Sequence, residues 1–332
     1  MMAQFIPLII HFLLLAPLLL PVCTAAPAHS MTILRDQAKA RVETRKSVQQ
    51  DRIRTLGRYA NIDPIKQRVR SSRAIGPAFR SQTISARSII VLDAVSGKTL
   101  FSRAPDTPRQ PASTIKVLTA MIAIDMLRNK QKVTVSRKAA RQPRSKIYLD
   151  PRKTYLAGDL INAVLLASAN DASVALAEKI AGSEKSFAAM MTRQARRLGA
   201  NNTVCKTASG LTAAGQKTTA RDLATIFRLA MKNKEFAARM KKTKIHTADG
   251  TLLRNHNKAL WQIDGALAGK TGYTSAARQT YVGKFKRGTD EIIVAIMGSE
   301  TMWTDIKKLV SYGFSTKERT ANLRSQGKSN NS

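Results

Sequence analysis

Three short clusters in the 332-residue chain carry residue types suited to nucleophilic acyl chemistry. In Ser113-Thr114-Ile115-Lys116 the serine and lysine stand three positions apart. On a helix that spacing shares a face, so the lysine amine reaches the serine hydroxyl. A serine hydroxyl is a weak nucleophile without a base, and a lysine whose pKa is lowered by burial or by a second cation can be that base. A serine at a helix N-terminus also has backbone N–H groups pointing toward a developing oxyanion. Ser168-Ala169-Asn170 places a hydroxyl and an amide at a break between two helical stretches, where both can face a cleft. Lys270-Thr271-Gly272 ends an apolar strand, and Gly272 would let a substrate backbone lie close to it. Each cluster alone has an ordinary structural reading. Ser113 would cap a helix with Lys116 snorkelling, Asn170 or Asp171 would cap the helix that follows, and Lys270 to Gly272 would be a strand running into a turn.

Recognisable elements surround these clusters. SIIVLDAVSGKTLFSR alternates like two strands about a turn at Ala94–Gly97, so a β-hairpin opens the body. Residues 114–127 are apolar on nearly every face, which predicts a buried helix. Helices are expected on both sides of Ser168 within 158–181, and amphipathic ones over 184–199 and 219–232. Residues 266–271, 278–286 and 290–298 read as strands, with Arg287-Gly288 as the last hairpin turn. Trp303 to Phe314 reads as a closing helix, with a frayed polar tail from Ser315. Strands, helices, then strands predict an α+β fold in which helices pack on an antiparallel sheet built from both chain ends.

Composition narrows the function classes. The chain has 56 Lys+Arg against 21 Asp+Glu, a formal net charge of +35, and 43% apolar residues. Four histidines and two cysteines leave no H-E-x-x-H, no paired C-x-x-C and no G-x-S-x-G, which disfavours zinc peptidases and α/β-hydrolases. Residues 5–22 are apolar and uncharged and lead to Ala26-Pro27-Ala28, so 1–28 reads as a signal peptide, with an uncleaved membrane anchor as the alternative. Its n-region lacks a side-chain cation, since the first basic residue is Arg35. Cys23 falls in this leader, so the mature chain would keep only Cys205, read as a small packed residue. Residues 29–82 read as a basic linker or arm, with 13 Lys+Arg against four acids over 29–80. The remaining +26 lies on residues 81–332, so the body itself would attract anionic wall polymers or a membrane surface. An aromatic share of 5% and no stacking motif give nucleic acid little support. His246 and His256 flank an Asp- and Asn-rich turn, for which an exposed turn is the ordinary account rather than metal binding.

S-x-x-K, S-x-N and K-T-G in that order are far more specific together than singly; S-x-x-K with S-D-N and K-T-G marks β-lactamases and penicillin-binding proteins. Longer segments, including ARSIIVLDAVSGKTLFSRAPDTPRQPASTIKVLTA, LINAVLLASANDASVALAEKIAGSEKSF and GALAGKTGYTSAARQTYVGKF, make residues 85–314 resemble the serine-type D-alanyl-D-alanine carboxypeptidases, the low-molecular-mass penicillin-binding proteins. The resemblance implies a β-lactamase/transpeptidase-like fold with a helical subdomain, a catalytic domain over 83–316 and a polar tail over 317–332. It implies Ser113 as acylated nucleophile, Lys116 as its base and Ser168 as proton relay to the leaving amine. Asn170, Lys270, Thr271, Gly272 and Tyr273 would bind substrate, Lys270 and Thr271 holding the terminal carboxylate. The backbone N–H groups of Ser113 and Tyr273 would form the oxyanion hole. Peptidoglycan stem peptides and β-lactam inhibitors are the implied partners, no cofactor or metal is implied, and the place is the periplasm or cell-wall space. The second β domain of many relatives and a C-terminal amphipathic anchor are not expected.

Departures from the family pattern open a second activity. Arg278 stands where relatives often carry glycine, and GSETMWTDIKK lacks the arginine that helps many of them grip the substrate carboxylate. Either Arg278 replaces it, or the site needs no free carboxylate, as in an endopeptidase cutting cross-links. A β-lactamase would need fast deacylation, and Glu178, Glu184 and Glu235 are the glutamates between Ser168 and Lys270. The reading from another class is a non-catalytic basic protein that binds wall or another polyanion.

Overall fold

The computed structural model describes residues 84–329. The leader at 1–28 and the basic arm at 29–82 therefore lie outside the described residues. Strand β1 (Ser88–Asp93) and strand β2 (Thr99–Arg103) form the expected opening hairpin. A 3-10 turn at Ala112–Ile115 runs directly into helix α1 (Lys116–Met126). A short hairpin of β3 (Lys132–Thr134) and β4 (Thr154–Leu156) encloses the small helix α2 (Arg137–Ala140). Helices α3 (Ala157–Leu165) and α4 (Asn170–Ala181) are broken where the sequence indicates, followed by α5 (Glu184–Arg197) and α6 (Ala220–Ala230). Helix α7 (Lys234–Met240), the hairpin β5 (Lys244–His246) and β6 (Leu252–Arg254), and helix α8 (Ala259–Gln262) lead to the last strands. These are β7 (Ala266–Thr274), β8 (Arg278–Arg287) and β9 (Asp290–Ser299), and helix α9 (Met302–Ser329) follows.

The five-stranded antiparallel sheet has the order β2-β1-β9-β8-β7, so the opening hairpin joins the closing strands through β1 and β9. This is the predicted α+β sheet made from both chain ends. β9 is buried on both faces because successive side chains alternate. Ile293, Ala295 and Met297 face the helical core, whereas Ile292, Val294 and Ile296 join Ile306, Leu309, Val310 and Phe314 of α9. The helical core is centred on α1, whose residues from Lys116 to Ala123 are all buried, as an all-round apolar pattern requires.

The tail differs from expectation. The frayed tail expected from Ser315 is helical as far as Ser329. Its Lys, Arg, Ala, Leu and Gln residues are good helix formers, and Lys317 ties the helix to the sheet through ion pairs with Asp93 and with Asp290 (3.0 Å). At the other end of the sheet the buried Asp305 carboxylate accepts hydrogen bonds from Ser85 N (3.0 Å), Ser85 Oγ (2.6 Å), Ala86 N (2.9 Å) and Ser299 Oγ (2.7 Å). That carboxylate fastens the start of the described chain to the base of α9.

Candidate active site

Ser113 lies in the 3-10 turn and Lys116 begins α1, so the i, i+3 relation holds although the serine precedes the α-helix proper. Lys116 is fully buried, and its Nζ is 2.7 Å from each of Ser113 Oγ, Asn170 Oδ1 and Ser209 O. The amide oxygen and the carbonyl are acceptors only. A neutral amine gives its two N–H groups to them and turns its lone pair to the Ser113 hydroxyl, which then donates. Burial first and then the positive charge of Lys270 hold the Lys116 pKa well below the ordinary lysine value, against a smaller upward pull from the Asp171 carboxylate. Both geometry and field favour the free base that nucleophilic activation requires.

Ser168 lies between α3 and α4 with φ +57°, a left-handed conformation that turns the chain sharply and aims its side chain inward. The serine is 4% exposed, and its Oγ accepts from Lys270 Nζ at 2.8 Å. Lys270 Nζ also donates to the Thr271 carbonyl at 2.9 Å. Burial brings the Lys270 pKa down to about 7. Asn170 spans two walls of the site. Its Oδ1 accepts from Lys116, and its Nδ2 donates to the carbonyls of Pro143 (2.9 Å) and Arg144 (3.2 Å). Neither Asn170 nor Asp171 caps α4, whose N-cap is Ala169; the buried Asp171 carboxylate instead accepts from the backbone of Ile147 and Leu149 (both 3.1 Å at their closest) and Ala172 (2.9 Å).

β7 is an edge strand, so one row of its backbone groups is open to an extended peptide. A Cβ at Gly272 would lie 2.7 Å from Ser113 N and 2.6 Å from Thr280 Oγ1. The close approach that Gly272 allows is thus first to the nucleophile's own turn, which sets the Ser113 N–H beside β7. Thr280 Oγ1 completes the seam by donating to Pro111 O at 3.1 Å. Thr271 is half-buried, and the Tyr273 side chain is exposed. The sequence clusters therefore converge: Ser113, Lys116 and Asn170 form one hydrogen-bonded group and Ser168 and Lys270 a second, close enough for the Lys270 charge to act on Lys116, with Thr271, Gly272 and Tyr273 on the adjoining edge.

Ser209, Thr119 and Gly210 had no signal in the sequence reading, and His256 was read there only as a turn histidine. Ser209 contributes a backbone carbonyl, and Thr119 Oγ1 donates to the neighbouring Ala208 carbonyl at 2.7 Å, locking α1 to that segment. Gly210, at φ +79°, could not bear a side chain, since its Cβ would lie 1.9 Å from Ala112 O. His256 packs its backbone N–H on Leu166 O (3.1 Å). Although the residue is exposed overall, partial burial of the ring, then Lys270 and Lys116, push its pKa down to about 4. Its imidazole is neutral at physiological pH.

Other candidates lie elsewhere. Glu178 accepts from Ser136, Glu184 from the Ala208 backbone while pairing with Lys138, and Glu235 pairs with Arg239. None of the three hydrogen-bonds to Ser113 or Lys116 among the described residues. Arg278, at φ +55°, chelates the Glu300 carboxylate through Nε (3.0 and 3.2 Å) and Nη2. No group of three or more His, Cys, Asp or Glu residues able to hold a metal occurs among the described residues. Cys205 is 4% exposed, and burial pushes its thiol up to about 12.

A family model described as D-alanyl-D-alanine carboxypeptidase matches residues 75–301, more than half of the chain. The D-alanyl-D-alanine carboxypeptidase DacB2 of Mycobacterium tuberculosis is 36% identical over 240 residues, covering 69% of this chain and 82% of that protein. DacC of Escherichia coli, of the same description, is 31% identical over 250 residues, 70% of this chain. The chain spans 62% of DacC's length. A crystal structure of penicillin-binding protein D2 from Listeria monocytogenes in its ampicillin-bound form superposes with a TM-score of 0.65 at 27% identity, covering 72% of this chain and 100% of that one.

Proposed function

This chain belongs to the D-alanyl-D-alanine carboxypeptidase family of serine peptidases, and from that membership we propose that it is an exported, penicillin-sensitive DD-peptidase that removes the terminal D-alanine from peptidoglycan stem peptides. The observation that carries the reading is the fully buried Lys116 amine 2.7 Å from Ser113 Oγ, with no carboxylate bonded to it. In the proposed reaction the Ser113 hydroxyl passes its proton to Lys116 as Oγ attacks the carbonyl carbon of the penultimate D-alanine. The N–H groups of Ser113 and Tyr273 take the developing oxyanion, and Lys270 with Thr271 hold the terminal carboxylate. As the C–N bond breaks, Ser168 relays the proton to the departing amine, leaving an ester on Ser113. Water then cleaves the ester, returning the hydroxyl and releasing a peptide shortened by one D-alanine. Because each glutamate considered is engaged away from Ser113, the penicilloyl ester would persist, making penicillin an inhibitor. The apolar leader at 5–22 supports export to the periplasm or wall space.

A fluorescent penicillin tests the assignment. The wild-type protein should carry a covalent label through a denaturing gel, and Ser113→Ala should carry none. An unlabelled, well-folded wild type would favour a non-catalytic basic wall-binding protein instead, recognised by binding to purified wall that falls steeply with salt. A second catalytic reading, an endopeptidase, has one observation in its favour. Glu300 already occupies Arg278, the side chain that could have served as an additional carboxylate clamp. Cross-linked dimers cut faster than pentapeptide would establish that activity.

A further inference from the structure

The loop held by Asn170 and Asp171 differs from the rest of the cleft in charge. Residues 137–146, RKAARQPRSK, carry five cations and no acid. Arg137, Lys138, Arg141 and Arg144 are exposed and Lys146 is half-buried. Lys138 pairs with Glu184 at 3.4 Å; among the described residues Arg141, Arg144 and Lys146 make no ion pair. Across the loop Asp150 is already taken by Arg152 at 2.9 Å, and Lys146 Nζ donates only to the Ala140 carbonyl at 3.2 Å, so among the described residues no carboxylate pairs with Arg141, Arg144 or Lys146.

At the end of the run stands Tyr148. It is 60% exposed and adopts φ +59°, a conformation disfavoured for a bulky residue. The buried Asp171 carboxylate holds it there by accepting from the residues on either side, Ile147 N (3.1 Å) and Leu149 N (3.1 Å). A strained backbone maintained by a buried charge, presenting an exposed ring, marks a functional position. The Arg144 guanidinium lies 5.8 Å and the Lys146 ammonium 5.3 Å from the centre of that ring, so the ring gathers two cations. The loop is also one hydrogen bond from the catalytic cluster, because Asn170 bonds to both Lys116 and the Arg144 carbonyl.

We propose that Arg144 and Lys146, gathered on the Tyr148 ring, form a shelf that binds a carboxylate carried by the peptide substrate away from the bond being cut. This rests on the DD-peptidase reading and adds a substrate preference to it: peptides with an additional free carboxylate are favoured over their amidated counterparts. The shelf is separate from Lys270 and Thr271, which serve the terminal carboxylate. Tyr148 provides an apolar flank on which a peptide's aliphatic stem can lie while the cations take its charge.

The test uses the mature protein and two synthetic peptides ending in D-alanyl-D-alanine, one with an internal free carboxylate and one with it amidated. D-alanine release should show a kcat/KM about fivefold higher for the free acid, through KM, as two partly exposed cations can provide. Arg144→Gln with Lys146→Gln should erase that preference, 0.5 M salt should blunt it, and labelling by penicillin should be unchanged. Equal kinetics for the two peptides in the wild type, or a preference that survives in the double variant, overturns the shelf while labelling leaves the catalytic reading intact. Absence of both label and D-alanine release sinks the catalytic reading, and the shelf as a substrate site with it.

Discussion

At the hairpin end of the sheet, Lys317 lies against two carboxylates, Asp93 and Asp290, and is 15% exposed. In the cleft, Lys116 and Lys270 are 0% and 1% exposed, and the oxygens bonded to them come from hydroxyls, an amide and carbonyls, never a carboxylate. Burial pulls on the Lys317 pKa too, but hydrogen bonds and charge from Asp93 and Asp290 outweigh it and raise the value. For Lys116 and Lys270 burial prevails, and both fall. The three side chains are chemically identical, so the contrast teaches what separates a lysine that holds a fold from one that can move a proton. A charged partner fixes the proton on the amine; neutral acceptors under burial let it go.

The sharpest way to break this contrast is to remove the amine from each region. Lys116→Met should cut acylation by penicillin by about 10³-fold, the scale of losing a general base, with the purified protein still folded by circular dichroism. Lys317→Met should leave acylation untouched and lower stability by about 1–2 kcal/mol, since it strands two partly buried carboxylates. If the second substitution slowed acylation as much as the first, the division of labour argued here would be wrong.

The pH response should separate the two regions next. Reaction needs Lys116 neutral and Lys270 charged, so kcat/KM for a peptide should be bell-shaped. Its acid limb reports the lowered pKa of Lys116, and its alkaline limb in free enzyme falls near 7 with Lys270. A bound carboxylate stabilises charged Lys270, so the alkaline limb of kcat should lie at higher pH than that of kcat/KM. Flat profiles from pH 5 to 9 would remove lysine as the base. Stability runs with opposite signs. Lys270 titrates near 7 when folded and above 10 when unfolded. The unfolded chain therefore binds more protons between those values, and this contribution rises with pH across that window. The Lys317 contribution is fully present below the ordinary lysine pKa and is lost as pH climbs through its raised value. Thermal melts of Lys270→Met and Lys317→Met separate the two: between pH 6 and 10 the difference from wild type should change with pH for Lys270→Met and stay constant for Lys317→Met, whose loss of contribution begins only at higher pH.

The regions also differ in how far they could be read from sequence. Ser113 and Lys116 were legible because a helical turn converts their spacing into contact, Ser168 and Asn170 because they mark a break between helices, and Lys270 because it follows them in a known order, although β7 runs on past Gly272 to Thr274 rather than ending there. The strands of the sheet were legible from β-branched runs and turn glycines. What escaped depends on backbone or distant partners. Ser209 acts through a carbonyl, which every residue has, so no side-chain type announces it. The hold of Asp171 on Ile147 and Leu149 joins a helix to a loop more than twenty positions away, and its spacing has no period. The three-residue strands β3 to β6 are too short for alternation to appear. Helix α9 continues past Phe314 on residues of high helix propensity, with Lys317 pairing to the sheet in the first added turn, and no hydrophobic periodicity marks that extension.

Arg278 and Glu300 present an intermediate case, and the smallest expected effect. Both are 44% exposed, so water screens their pairing, yet the arginine occupies a left-handed φ that glycine would adopt without strain. Arg278→Gly exchanges an exposed ion pair for relief of backbone strain, and the melting midpoint should stay where it was. If Glu300 is the guanidinium's working partner, the KM for a peptide with a free terminal carboxylate should also be unchanged, because Lys270 and Thr271 already serve that group. If KM rises severalfold for the free acid but not for a terminal amide, Arg278 must leave Glu300 to meet substrate. Arg278 would then join Lys270 at the terminal carboxylate, and the ion pair with Glu300 would be a competitor of the substrate rather than a prop of the fold.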